Sequence, residues 1–181
     1  MLWDTHMHTH FSGDSNADPA AMARSAIGKN LAGICITDHL DYDYPDEPDL
    51  FTIDFPQYEK GIRQLQADFS DSLNINFGIE LGLQPHLAKK HHEILQEMDF
   101  DFVIGSSHVV HGLDPYYPAY YEGRSEHAAY LEYFESILEN IAAFHEFDVY
   151  GHIDYVVRYG PEKNKNYSYD KYKDVIDEIL R

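Results

Sequence analysis

Basic residues are scarce in this chain: 13 Lys and Arg stand against 32 Asp and Glu, a formal net charge of −19 over 181 residues. A surface of that sign repels nucleic-acid phosphates, which argues against DNA or RNA as a partner. Cysteine is nearly absent. The single Cys35, inside the apolar run LAGICIT, has no partner for an internal disulfide and reads as an inert core residue. No apolar run approaches the ~20 residues that span a bilayer, and the opening MLWDTH lacks the charged and apolar regions of a signal peptide. A cytoplasmic protein with no membrane partner is expected. Also missing are a GxSxG elbow, a P-loop and a GxGxxG turn, so no activated serine or backbone phosphate cradle is evident.

What the chain does have is histidine, 12 of them. The stretch DTHMHTH, residues 4–10, places Asp4, His6, His8 and His10 at alternate positions. In a strand these would share one face, where a half-buried strand would normally carry apolar groups. Neutral imidazole is a common metal ligand, so a cation site is the first reading.

The 44% hydrophobic content over this length predicts one domain, residues 1–181. Short apolar runs predict strands near 2–7, 32–37, 74–80, 102–107 and 148–153. Helical patterns lie between them. The first is expected to start with Asp18 as N-cap and Pro19 at the first helical position, ending near Gly28. Others carry Tyr58, Ile62, Leu65 and Phe69, then Leu87, Ile94, Leu95 and Met98, then a long stripe from Ser125 through Tyr130, Phe134 and Ile137 to Phe144. The last, capped by Ser168, should bury Val175, Ile176, Ile179 and Leu180. This alternation predicts an α/β fold of parallel strands with helical crossovers. Two irregular segments rich in Pro, Asp and Tyr, residues 41–56 and 111–123, follow strand ends and read as substrate loops.

Each predicted strand ends in a potential ligand: His6 and His8, then Asp38 and His39, then Glu80, then His108, then His152 with Asp154 nearby. Carboxyl ends of parallel strands converge on one mouth, so these groups should meet in space. Imidazoles with carboxylates suit Zn, Mn or Fe, and a pair of such ions can turn water into hydroxide and clamp a phosphoryl group. Asp38 and Asp154 read as orienting or loop groups, and the paired histidines of KKHHEI, residues 89–94, as a solvated helix face.

In that order D-x-H-x-H-T, ITDH, GIE, GSSHV and GHIDYV resemble the PHP (polymerase and histidinol phosphatase) superfamily, and the tyrosine-rich GLDPYYPAYYEG with DVYGHIDYVVRYGP is similar to its monofunctional histidinol-phosphate phosphatases. The resemblance implies a distorted (β/α)7 barrel, a site of two or three divalent metal ions and hydrolysis of a small phosphate ester, L-histidinol phosphate, in histidine biosynthesis. His6, His8 and Glu80 would hold one ion; Glu80 would bridge to a second completed by His108 and His152; His39 and Asp14 would hold the third. An ion-bound hydroxide would be the nucleophile, with His111 a candidate to protonate the leaving group. Arg158 would bind the phosphate and Tyr116 and Tyr117 would line the pocket. Asp4 would support a ligand from behind, and His10 would face the cavity.

No histidine follows His152, so the closing D-x-H motif of the family has no counterpart. An incomplete barrel of about five β/α units is therefore expected, short of barrels of ~250 residues, with open sheet edges covered by a second copy of the chain or a further C-terminal piece. Two other readings stand beside the phosphatase: a PHP phosphoesterase for another small phosphate or nucleotide, and an inactive metal-binding partial barrel.

Overall fold

The computed structural model describes residues 2–181. The first strand, β1 (Trp3–Asp4), is short and pairs in parallel with β2 (Gly33–Ile36), bringing Trp3 opposite Gly33. A Cβ at Gly33 would strike the Trp3 indole, so the glycine admits the ring. Between them runs α1 (Pro19–Gly28), whose N-cap Asp18 accepts from the amides of Ala20 and Ala21, with Pro19 at the first helical position. The expected helix and its cap are both present.

The longest strand, β4 (Asn74–Gly82), organises the sheet. Its first half pairs with β2, from Gly33↔Asn74 to Ile36↔Phe77. Its second half pairs with a short strand not anticipated from the sequence, β3 (His39–Leu40), in the register His39↔Glu80 and Leu40↔Leu81. Thus β2 and β3 are one line interrupted at Thr37 and Asp38, the two residues whose side chains reach sideways to the N-terminal segment. On the other flank come β5 (Phe102–Ser106) and then β6 (Val149–Tyr150), giving the all-parallel order β1-β2-β4-β5-β6 with β3 beside β4. The sheet forms a half-barrel.

Helices cross between strands. α2 (Phe55–Phe69) opens on Asp54, which accepts from the Gln57 amide, and buries Tyr58, Ile62 and Leu65 against β4. α3 (Ala88–Glu97) precedes β5 and α4 (Glu126–Ala143) follows it along the chain, and α4 packs on α6 (Tyr169–Ile179). A five-residue helix, α5 (Tyr155–Tyr159), is not anticipated; it follows β6 after the short segment 151–154 that carries His152. The core has two parts. One joins Ile34, Ile36, Tyr58, Phe77 and Ile79; the other joins Tyr130, Tyr133, Phe134, Val156, Tyr172 and Ile176.

Two helix faces differ from expectation. In α6 Ile176 is buried, but Leu180 lies past the helix end and is 69% exposed. In α3 His91 is fully buried rather than solvated, because it shares the inward stripe of Leu87 and Ile94 and sits between the rings of Tyr42 and Phe144. Cys35 is buried, and that burial pushes its thiol up to about 12. Among the described residues no helix is long and apolar enough to cross a membrane.

Candidate metal centre

Side chains alternate along β4, so Ile79 and Leu81 enter the core while Glu80 faces the opposite side. Glu80 is fully buried and forms the hub of the site. Its Oε1 accepts from Ser106 Oγ at 2.7 Å and lies 3.0 Å from His152 Nε2, 3.4 Å from His108 Nε2 and 3.6 Å from His6 Nε2. Its Oε2 lies 3.1 Å from His8 Nε2 and 3.3 Å from His39 Nδ1. Five imidazoles, drawn from four separate parts of the chain, therefore meet one carboxylate.

Local structure fixes each ring. The regular strand at the N-terminus stops at Asp4, and the next residues are held by the interruption between β2 and β3. Thr37 Oγ1 meets His6 Nδ1 at 2.9 Å and accepts from the Met7 amide, while Asp38 accepts from the amide and hydroxyl of Thr9. His8 Nδ1 meets Asp14 Oδ2 at 3.1 Å, and His39 Nε2 lies 3.8 Å from the same oxygen. Behind them Asp41 bonds His39 Nδ1 at 3.0 Å and His108 Nδ1 at 2.7 Å.

The protonation pattern shows how tightly these groups are coupled. Burial works against a charge on His8, yet its bond to Asp14 and the negative charge of Glu80 outweigh it and push the ring up to about 9. Burial likewise opposes charge on His108, Asp41 and Glu80; their mutual attraction wins, lifting the imidazole and holding both carboxyls well below their usual range. His6 goes the other way, lowered by desolvation.

The donor set fits a divalent cation. His8 Nε2 and Glu80 Oε2 are buried, 3.1 Å apart, and neither has a hydrogen-bond partner. Polar atoms are rarely left so in a protein interior. Two ligands on a tetrahedral ion with bonds of ~2.1 Å would stand about 3.4 Å apart, and the Glu80 to imidazole separations of 3.0 to 3.6 Å bracket that figure. Among the described residues four overlapping trios have atoms close enough to share an ion: His6, His8 and Glu80; His8, Asp14 and His39; His39, Asp41 and His108; and Glu80, His108 and His152.

The centre opens into a cavity of about 960 Å³. Both predicted substrate loops reach it, one through Tyr44 and Phe51 and the other through Asp114, Tyr116 and Tyr117, and Arg158 and Asp154 line it as well. All seven candidate ligands are thus brought together, and the three candidate substrate contacts border the same space. His111 is not there. The chain turns back at the Val110↔Leu113 bridge, and His111, in left-handed conformation, points away to Glu132 and Glu139 beside a separate pocket. His10 also misses the cavity: a turn follows Thr9, and its exposed ring lies against Phe11. Among the described residues Asp4 meets no imidazole and accepts from the His6 amide alone. Sequence reading included Asp41 and Asp114 only as members of the two substrate loops and missed Tyr155, Tyr159 and Lys163, which border the same cavity. Asp41 carried a further signal, two residues beyond His39 in the same run of potential ligands.

A sequence profile of the PHP domain matches residues 4–181. The chain belongs to the PHP family. Among its relatives, the histidinol-phosphatase of Lactococcus lactis is 33% identical over 179 residues, 98% of this chain and 66% of that one. A probable histidinol-phosphatase of Clostridium acetobutylicum is 32% identical over the whole of this chain and 68% of its own length. The crystal structure of the Lactococcus lactis histidinol phosphate phosphatase, solved with zinc, L-histidinol and phosphate, superposes with a TM-score of 0.93 over 99% of this PHP chain and 68% of that one. A Listeria monocytogenes structure at 20% identity shares the fold, with a TM-score of 0.83 over 98% of this chain and 77% of its own. This PHP chain spans about two thirds of the length of the curated relatives it matches.

Proposed function

We propose that this PHP chain serves metal-dependent hydrolysis of a small phosphate monoester, L-histidinol phosphate, giving L-histidinol and phosphate in histidine biosynthesis. The observation that carries the reading is the convergence of five imidazoles on buried Glu80, with His8 Nε2 and Glu80 Oε2 left without hydrogen-bond partners. Similarity to the zinc-bound Lactococcus lactis phosphatase supports it.

In this reading two or three ions of Zn, Mn or Fe bind. His6, His8 and Glu80 hold one; Glu80, His108 and His152 hold another; His39 and Asp14 serve a third. When bound, such ions lower the pKa of water and neutralise charge on a phosphoryl group. The chain's own residues position the ester. Arg158 lines the cavity and has no carboxylate partner among the described residues, so its guanidinium is free for a phosphate. Tyr116 and Tyr117 form an edge-on pair at 5.0 Å and wall the cavity on the side of Asp114. The exposed carboxylate of Asp154 suits the substrate's cationic amine better than it would suit a bare sugar phosphate. The setting is the cytoplasm, with neither nucleic acid nor membrane as partner. Exposed Trp3 and Val149 on the outermost strands support a second copy covering the sheet edges, which sedimentation tests.

The deciding experiment is phosphate release from L-histidinol phosphate by the chain loaded with Mn²⁺ or Zn²⁺, against an EDTA control and Glu80→Ala. Turnover abolished by both supports the reading. No turnover with metal retained would favour metal binding without catalysis, and turnover of nucleotides in preference would move the substrate class.

A further inference from the structure

The register of β3 on β4 sets His39 beside Glu80 and Leu40 beside Leu81, so the next residue, Asp41, emerges alongside Gly82. Asp41 is 1% exposed. Both its oxygens are spent on imidazoles of the centre: Oδ1 lies 2.7 Å from His108 Nδ1 and Oδ2 lies 3.0 Å from His39 Nδ1. Gly82 is part of this arrangement, since a Cβ there would fall on the Asp41 carboxylate. The strand that presents Glu80 to one side of the rings leaves a vacant Cβ position two residues later, and the second carboxylate occupies that space.

We propose that Asp41 is a positioning residue that fixes the tautomers of His39 and His108, holding the proton of each ring on Nδ1 so that each Nε2 lone pair faces the centre. The inference rests on the metal reading above. An imidazole offers a metal the nitrogen that its other hydrogen bond leaves unprotonated. For His108 the assignment is direct: Nδ1 faces Asp41 while Nε2 stands 3.4 Å from Glu80 Oε1. His39 Nδ1 lies 3.3 Å from Glu80 Oε2 as well, but it makes its hydrogen bond with Asp41, which turns Nε2 toward Asp14 at 3.8 Å. A carboxylate is needed because both ring nitrogens must donate to it. One carboxylate can accept from two N–H groups; an amide cannot serve both with the same polarity.

That asymmetry provides the test. Asp41→Asn keeps the shape, but its NH₂ would face one of the two rings and move that ring's proton to Nε2. The full chain is titrated with Zn²⁺ against a chromogenic chelator, and the imidazole tautomers of the zinc-loaded protein are read by ¹⁵N NMR. The expected results are Nδ1–H on both rings in the wild type, and in Asp41→Asn one ring changed and zinc affinity lowered by about 10- to 100-fold, the usual cost of losing such support. Unchanged affinity in a folded Asp41→Asn chain, with both rings still Nδ1–H, would overturn the proposal. So would an Nε2–H tautomer of His108 in the zinc-loaded wild type, a measurement that needs no variant to fold. The assay uses no phosphate ester. Failure of the phosphatase reading would therefore leave it intact, whereas a wild-type chain that binds no zinc would overturn the metal reading and this inference together.

Discussion

His91 predicts a specific acid weakness in the fold. The ring is fully buried on α3 between Tyr42 and Phe144, and the Gly82 backbone offsets that burial only in part. Burial therefore disfavours the charged form and pulls the group from 6.5 down to about 4. The folded protein keeps His91 neutral where the unfolded chain already takes up a proton. Stability from this source is complete above pH 6.5 and is lost as the pH falls toward 4. At about 1.4 kcal/mol per pH unit the loss reaches about 3 kcal/mol, a large share of a typical folding free energy of ~5–15 kcal/mol. Urea unfolding of the metal-free chain from pH 7.5 to 4.5, beside His91→Leu, isolates the effect: the variant should gain on the wild type by up to about 3 kcal/mol as the pH drops. A difference between the two that stays constant across this range would refute the reasoning, because it would mean that the folded ring accepts its proton as readily as the unfolded one.

Three further outcomes follow from the site. Arg158→Ala should lower kcat/KM for the phosphate ester by roughly 10- to 100-fold, as expected for one charge-assisted contact of about 1.5–3 kcal/mol; unchanged steady-state kinetics would remove Arg158 from the site. His111→Ala should leave kcat and KM as they are, since that ring is engaged by Glu132 and Glu139 outside the cavity; a large fall in kcat would reinstate it. Raising ionic strength from a few millimolar to physiological should increase kcat/KM, with a decrease counting against the charge distribution described below.

Much of the fold was legible because its signals are local. Asp18 and Pro19 start α1, Ser125 starts α4, and five apolar runs become strands. The interruption at Thr37 and Asp38 was not legible, because it follows from where the N-terminal segment docks. The same tertiary cause redirects His10: alternation along DTHMHTH holds only while the chain is a strand, and regular pairing ends at Asp4. His6 and His8 still reach the hub through contacts to Thr37 and Asp14. Strand-end logic gathered six of the seven candidate ligands, the seventh, Asp14, being supplied by the family resemblance. It could not separate Asp41 from the acidic loop that follows, since only the register with Gly82 shows that this one carboxylate turns inward. His91 was misjudged from adjacency to His92; its spacing from Leu87 and Ile94 was the better guide.

A chain of net charge −19 should repel a phosphate ester, and the centre itself contains carboxylates. Yet Glu80 and Asp41 are buried and enclosed by imidazoles, so neither carboxylate faces an approaching anion. Elsewhere Arg24, Arg63, Lys89, Arg124, Lys165, Lys173 and Arg181 each have a carboxylate partner. Arg158 and Lys163 line the cavity and form no ion pair among the described residues, as Lys29, Lys60, Lys90 and Lys171 form none outside it. The attraction of the two at the mouth reaches about one Debye length, ~8 Å at physiological salt. Beyond that distance an approaching anion meets the acidic surface, and the net field opposes rather than steers encounter. Salt screens this long-range repulsion more than it screens contacts inside a partly desolvated cavity, which is why added salt should help such a site where it would hinder an electrostatically steered one.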